Sequence, residues 1–379
     1  MVRQPPAATQ EEWGPMKSRQ KVKKKLGLAS YPRATHRHGL VKEGAPPQRR
    51  ARTRPSGTVL ALPFRQIHEP PAADHPAVLL RPEPAYVTPF GAMVCGDAAT
   101  AMAALPNDCV DLVVTSPPYA LHFKKEYGNA DKAAYVEWFR PFAVQIHRVL
   151  KSEGSFVLNI GGSYNPGAPT RSLYHFRLLL MLCDEVGFYL AQECFWYNPA
   201  KLPSPAEWVN VRRVRIKDSV EYVWWLSKTE HPKADNRQVL GEYSDDMRRL
   251  LRRGYRAKKR PSGHNITHKF SQDHGGAIPS NVLERGNNES NSEYIRLCEQ
   301  YGQKAHPARF PAALPEFYIK FLTQPADLIL DPYAGSNTTG AVAERLQRRW
   351  LSFEIEQKYV ENSRLRFGLA PDATRCSPA

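Results

Sequence analysis

At 379 residues, with 42% hydrophobic and 24% charged side chains, the chain carries enough apolar material for one large or two ordinary globular domains, which excludes a fibrous or wholly disordered protein. No apolar run is long enough to span a bilayer, and the N-terminus carries Glu11 and Glu12 but no apolar core of a secretory signal. The net charge is +16, of which residues 1–58 contribute +11 through 14 Lys/Arg against three acids.

That first segment is rich in Pro, Ala and Gly and has no hydrophobic period, so it reads as a disordered basic arm. Two roles fit it: a dispensable leader with Met16 as the true start, or a non-specific contact to phosphates. Residues 59–88 read as a Pro-rich linker. The six cysteines lack CxxC spacing, which fits reduced thiols in a cytoplasm better than a disulfide frame or a zinc site. No metal-ligand cluster is apparent.

From Gly91 the pattern becomes regular. "GAMVCGD" is a short apolar run ending in Asp97, and a helix-like "AATAMAAL" follows. "VDLVVTS" ends in Ser116 and runs into Pro117, Pro118 and Tyr119. Amphipathic stretches at 132–150 and 171–186 predict helices, between which "GSFVLNIGG" (154–162) predicts a strand. "FYLAQECFWY" (188–197) and "VEYVWWLS" (220–227) predict two more. Residues 228–305 break the rhythm. It resumes with "DLILD" ending in Asp331, a helical "SNTTGAVAERLQRR", and "RWLSFEIE" ending in Glu354.

Continuous apolar runs, as opposed to alternating ones, predict strands covered on both faces. Strands alternating with helices predict an α/β fold with a mainly parallel sheet. In such sheets ligands bind beyond the carboxyl ends of the strands. Any one of Asp97, Ser116, Asp331 and Glu354 alone is more simply a helix cap. Four polar residues closing four apolar strands point to one site.

"DPYAGSNTTG" (331–340) is a strand-to-helix turn with Gly335 and Gly340 as its only glycines. It lacks the Lys of a triphosphate-binding loop and the spacing of a dinucleotide fingerprint. It still offers backbone N–H groups at a helix N-terminus, suited to a carboxylate or another small anion. Glu354, about twenty residues on, is placed like the acid that grips ribose hydroxyls. The implied ligand is a nucleoside with a small carboxylate-bearing tail.

"TSPPY" and "DPYAGSNTT" together resemble motifs of the amino-group DNA methyltransferases, specifically the N4-cytosine enzymes of restriction–modification systems. Their order, SPPY first and glycine loop last, resembles the permuted β group of that family. The resemblance extends over residues 90–367 through "KKEYGN", "WYNPAKLPSPAEWVN", "RPSGHNI" and "KAHPARFPAALPEF". It implies a Rossmann-like methyltransferase fold with a catalytic part at 89–227, an inserted target-recognition region at 228–305, a cofactor-binding part at 306–367 and a tail at 368–379.

The resemblance also implies S-adenosylmethionine as cofactor. Asp331, Pro332, Tyr333, Gly335, Ser336, Asn337, Thr338 and Thr339 would cradle its methionine part. Glu354 would hold the ribose, Asp97 would lie by the adenine, and His306 and Phe310 of "HPARFP" would border the methionine end. Tyr333 and Asn337 replace the commoner Phe and Gly of this loop; Asn tolerates unusual backbone angles better than most residues, so the turn need not be lost.

The family reading gives the proline corner its chemistry. An exocyclic amino group is a poor nucleophile because its lone pair is delocalised into the ring. The Ser116 hydroxyl and the Pro117 carbonyl would accept its protons, while Pro117 and Pro118 stiffen the corner and bring no competing N–H. Tyr119 would offer a flat face to a base turned out of the duplex.

Double-stranded DNA is the implied partner, with a cognate restriction endonuclease acting independently. Lys124 and Lys125 lie on an expected mobile loop after the corner, and Lys201 lies in the 198–205 segment near the target base. Arg248, Arg252, Arg256, Arg260, Ser262 and His264 belong to a basic run (247–269) expected to contact phosphates and base edges. Trp196 and Tyr197 are core candidates. Three alternatives stay open: N6 of adenine as the target, a catalytically silent DNA-binding homologue, and a methyltransferase acting on RNA or protein.

Overall fold

All seven apolar runs become strands of a single nine-stranded sheet. The computed structural model describes residues 74–81, 83–120, 132–254, 272–287 and 292–370. The elements are β1 (Tyr86–Val87), β2 (Gly91–Cys95), α1 (Ala98–Ala103), β3 (Val110–Thr115), α2 (Tyr135–Val149), β4 (Leu150–Ile160), α3 (Tyr174–Leu180), β5 (Tyr189–Tyr197), β6 (Val220–Ser227), α4 (Asp245–Arg253), β7 (Val282–Glu284), α5 (Glu293–Gln300), α6 (Ala313–Leu322), β8 (Leu328–Asp331), α7 (Thr338–Arg345), β9 (Arg349–Glu354) and α8 (Gln357–Ser363).

The sheet order is β1-β2-β9-β8-β3-β4-β6-β5-β7. β2, β9, β8, β3 and β4 run parallel, and β6 is antiparallel to both β4 and β5. β8 and β9, late in the chain, therefore lie between β2 and β3. Four strand ends reach one rim as a result, with Cys95 opposite Glu354 and Val113 opposite Leu330.

β3 shows why its sequence is continuously apolar. All six of its residues are buried. Val113 enters the core on the face covered by α1, α2 and α3, with Phe139, Ile146 and Leu178. Leu112 and Val114 enter the opposite core with Tyr318, Ile329, Val342 and Trp350. Alternate residues thus fill opposite layers, each fully buried large side chain being worth about 1.5–3 kcal/mol.

The short elements carry no periodic signal and were not foreseen. A 3₁₀ turn at Pro76–Leu79 and β1 lie within the span expected to be a linker. His75 Nε2 lies 2.9 Å from the Thr88 carbonyl, and the Tyr86 hydroxyl is 2.7 Å from Ser363 Oγ, so residues 75–88 are tied to the core. Within 228–305, β7 extends the sheet beside β5, and α5 packs Tyr294 and Cys298 against Leu365. No helix among the described residues is long and apolar enough to cross a membrane.

Candidate active site

The rim opens into a cavity of about 590 Å³. Asp97, Ser116, Pro117, Pro118, Tyr119, His306, Phe310, Pro332, Tyr333, Gly335, Ser336, Thr338 and Glu354 all line it. Asp331, Asn337 and Thr339 do not. They lie behind the wall, at 1%, 0% and 1% exposure, and form the skeleton of the loop.

Asp331 accepts hydrogen bonds from Thr115 Oγ1 and Thr339 Oγ1, each at 2.6 Å, and from the Tyr333 N–H at 3.1 Å. Burial nevertheless raises its pKa from 3.8 to about 6. Asn337 takes the left-handed conformation (φ 55°, ψ 45°), one that Asn tolerates better than most side chains. Its side chain caps α7 by accepting from the Gly340 N–H at 3.1 Å, accepts from Ser352 Oγ at 2.8 Å and donates to the Tyr86 hydroxyl at 3.1 Å. Gly335 (φ +52°) faces His306 so closely that a Cβ would come within 3.3 Å of the imidazole.

Glu354 ties the loop to the next turn. One carboxylate oxygen accepts from the Gly335 N–H at 2.8 Å, the other from the Glu356 N–H at 2.9 Å. Burial raises its pKa. A carboxylate has about four acceptor positions, so a cavity ligand can still be bound. Asp97 caps α1 through Thr100 and also lines the cavity. The His306 ring is 9% exposed, lies edge-on to Tyr359, and is held neutral because burial lowers its pKa to about 4. Trp138 and Phe142 of α2 join Tyr333 in an aromatic wall, with centroid separations of 6.0 and 5.2 Å.

At the corner, the Ser116 and Tyr119 hydroxyls are 3.1 Å apart. The Tyr119 ring lies on Gly161, where a Cβ would meet it at 2.5 Å. Tyr135 donates to the Pro118 carbonyl at 2.8 Å, and Tyr174 to that of Gly161. Two residues missed in the sequence complete the group: Asn159, at the end of β4, and Glu221, near the start of β6. Asn159 Nδ2 donates to Tyr119 at 3.0 Å and to Ser116 at 3.3 Å, and Tyr119 donates to Glu221 at 2.8 Å. Each is a polar residue flanked by apolar or aromatic neighbours in its strand, which is the signal that was available.

Of the residues expected to contact DNA, Lys201 is placed differently. Its ammonium lies 2.9 Å from Glu221. The physical reason is the partly buried carboxylate, which needs a partner. Arg248 and Arg252 lie on α4, a helix with acids in its first turn and bases in its last, as the helix dipole favours. Arg248 pairs with Glu242 at 2.8 Å. Lys124, Lys125, Arg256, Arg260, Ser262 and His264 lie outside the described residues. Trp196 is 5% exposed, donates to the Arg285 carbonyl at 2.8 Å and borders the cavity, so it is core and wall at once.

A family model described as DNA methylase matches residues 110–364. The chain is 52% identical over 288 residues to the Type II methyltransferase M.PvuII of Proteus hauseri, covering 75% of this chain and 86% of that protein. It is 28% identical over 288 residues to the Type II methyltransferase M.ScaI of Streptomyces caespitosus, covering 74% and 82%. Among solved structures, the PvuII DNA methyltransferase (cytosine-N4-specific) matches with a TM-score of 0.63 at 46% identity, over 76% of this chain and 90% of that one.

Proposed function

The chain belongs to the DNA methylase family, and from that premise we propose that it transfers a methyl group from S-adenosylmethionine to N4 of a cytosine turned out of double-stranded DNA, within a short fixed sequence. The observation that carries this reading is the meeting of the Ser116–Tyr119 corner and the glycine loop on one cavity. Ser116 ahead of the prolines, and the likeness to a cytosine-N4-specific enzyme, select cytosine over adenine.

The residues fit the cofactor. A cavity of about 590 Å³ is in the usual range for such ligands. Among the described residues, Asp97 and Glu354 face it beside Arg309, a balance suited to a ligand with positive charge. Gly335 leaves open the space a Cβ would fill beside His306. When bound, S-adenosylmethionine supplies an electrophilic methyl group on a positively charged sulfur.

The chain's own residues then divide the work. Glu354 holds the ribose hydroxyls and Asp97 lies by the adenine. Pro332, Tyr333, Gly335, Ser336 and Thr338 shape the wall at the methionine part, while Asp331, Asn337 and Thr339 hold that wall in place. His306, being neutral, adds no second positive charge, and Phe310 borders it. Ser116 Oγ and the Pro117 carbonyl accept amine protons, so the nitrogen lone pair is freed for attack. Tyr119 stacks the base on the ring face turned away from Gly161.

Residues 228–305, with Arg248 and Arg252 of α4, are proposed to read the sequence. The likeness to Type II methyltransferases supports a cognate restriction endonuclease acting independently. The test is to methylate unmodified duplex DNA with labelled cofactor, digest it to nucleosides and identify the labelled one by mass spectrometry. Label in N4-methyldeoxycytidine is expected. Label in N6-methyldeoxyadenosine would overturn the cytosine assignment, and no label would overturn the enzyme.

A further inference from the structure

Resting on the methyl-transfer reading, we propose that Glu221 is the positioning residue and final proton acceptor of the reaction, drawing the amine proton away through Ser116 and Tyr119. Nothing in the SPPY motif requires it. Glu221 lies 102 residues beyond Tyr119 in the chain and reaches the corner only because β6 runs beside β4, with Glu221 opposite Trp196 of β5.

The hydrogen bonds have one consistent direction. A carboxylate only accepts, so the single Tyr119 proton points at Glu221 Oε2, 2.8 Å away. The Tyr119 oxygen then accepts from Asn159 Nδ2 at 3.0 Å and from the Ser116 hydroxyl at 3.1 Å. Asn159 also donates to Ser116 Oγ at 3.3 Å. The Ser116 proton is thereby turned away from the incoming amine, one of its lone pairs is taken, and the other is left for the base. Lys201 grips the second Glu221 oxygen at 2.9 Å and fixes the carboxylate plane. Ser116, Tyr119, Asn159 and Glu221 all face the same cavity.

Among the described residues, the charged and titratable groups beside Glu221 come from three elements. Lys201 comes from the 198–205 segment, Tyr119 from the corner, and the Tyr174 hydroxyl from α3. Burial, reinforced by the Glu221 charge, pushes the Tyr119 phenol well above its usual range, so it keeps its proton and passes one on only as it receives another.

The step balances. N4 bonds the methyl carbon, whose bond to sulfur breaks with both electrons left on sulfur, and N4 becomes positive. One N4 proton passes to Ser116 Oγ, the Ser116 proton to Tyr119 Oη, and the Tyr119 proton to Glu221. The product is a neutral methylated amine, and Glu221 returns its proton to water once the base has left.

The test is single-turnover methylation of an oligonucleotide duplex by the full-length enzyme. Glu221→Gln keeps the shape and still accepts from Tyr119 but takes no proton. It should slow transfer by about 10²-fold or more, with affinities for cofactor and DNA within about twofold of wild type. Its pH–rate profile should lose the acid limb of the wild type. Glu221→Asp, which keeps the carboxylate, should recover part of the rate. Tyr119→Phe should be as slow as Glu221→Gln, and the double variant no slower than either, because both break one relay. A wild-type rate in Glu221→Gln overturns the proposal, as does an equal loss in the Gln and Asp variants with an unchanged pH profile. Failure of the wild type itself to methylate any DNA would instead sink the parent reading.

Discussion

Asp331 is a carboxylate at 1% exposure whose partners among the described residues are two hydroxyls and one backbone N–H. Those bonds favour its charge, but burial outweighs them and lifts its pKa from 3.8 to about 6. Each unit corresponds to about 1.4 kcal/mol, so the full linkage is about 3 kcal/mol. The folded pKa is the higher one, so the contribution to stability is fully present below about pH 4 and is lost as pH rises through about 6. Asp331→Asn removes the titration and keeps the shape. Urea unfolding of wild type and variant, each at about pH 4.5 and about pH 7.5, gives a double difference from which the constant cost of the lost hydrogen bonds cancels. Integrating over that window, wild type should lose about 2 kcal/mol more than the variant as pH rises. A double difference below about 0.5 kcal/mol would show that the hydrogen bonds offset burial and that the carboxylate is ionised without penalty.

Three further outcomes test the site. Glu354→Ala should weaken cofactor binding by about 10- to 100-fold, the loss of a charged hydrogen bond; equal affinities by calorimetry would remove Glu354 from the site. Gly335→Ala places a Cβ at φ +52° and 3.3 Å from His306, so the melting point should fall by the equivalent of about 1 kcal/mol and cofactor binding should be lost; an unchanged melt and affinity would refute the cradle. Ser116→Ala should slow methyl transfer by about 10²-fold or more while cofactor affinity stays within about twofold; transfer at the wild-type rate would end its role as acceptor.

The legible parts of the fold were those in which one residue type has one physical use. β3 and β8 are wholly buried, so their composition announces them. The glycine loop survived its departure at Asn337 because Asn, at φ 55°, is among the few side chains that tolerate such a turn. β1 and β7, two and three residues long, are too short for any period to show. Asn159 and Glu221 were hidden for another reason. Their meaning depends on β6 lying beside β4 and on Asn159 and Glu221 both reaching Tyr119, which no local pattern states. Lys201 was misread through its type: a lysine beside a presumed DNA surface suggests phosphate, but a neighbouring carboxylate with only 18% of its side chain exposed claims it first.

The two halves of the cavity use their acids in opposite ways, and the difference follows from what each half must do. On the cofactor side, Glu354 accepts from the backbone N–H groups of Gly335 and Glu356. Backbone protons do not exchange on the time scale of a reaction step, so these bonds can only hold shape, and shape is what selects a ligand that arrives already activated. On the base side, Glu221 accepts from a phenol that accepts from a serine. Hydroxyl protons move readily between oxygens, so the same number of contacts yields a path as well as a geometry. The amine needs that path, since methylation leaves it positive beside a wall where Tyr119 is partly buried and Asn159 is 3% exposed. Were Glu221 bonded to backbone in the manner of Glu354, the corner would be as rigid but the proton would have nowhere to go.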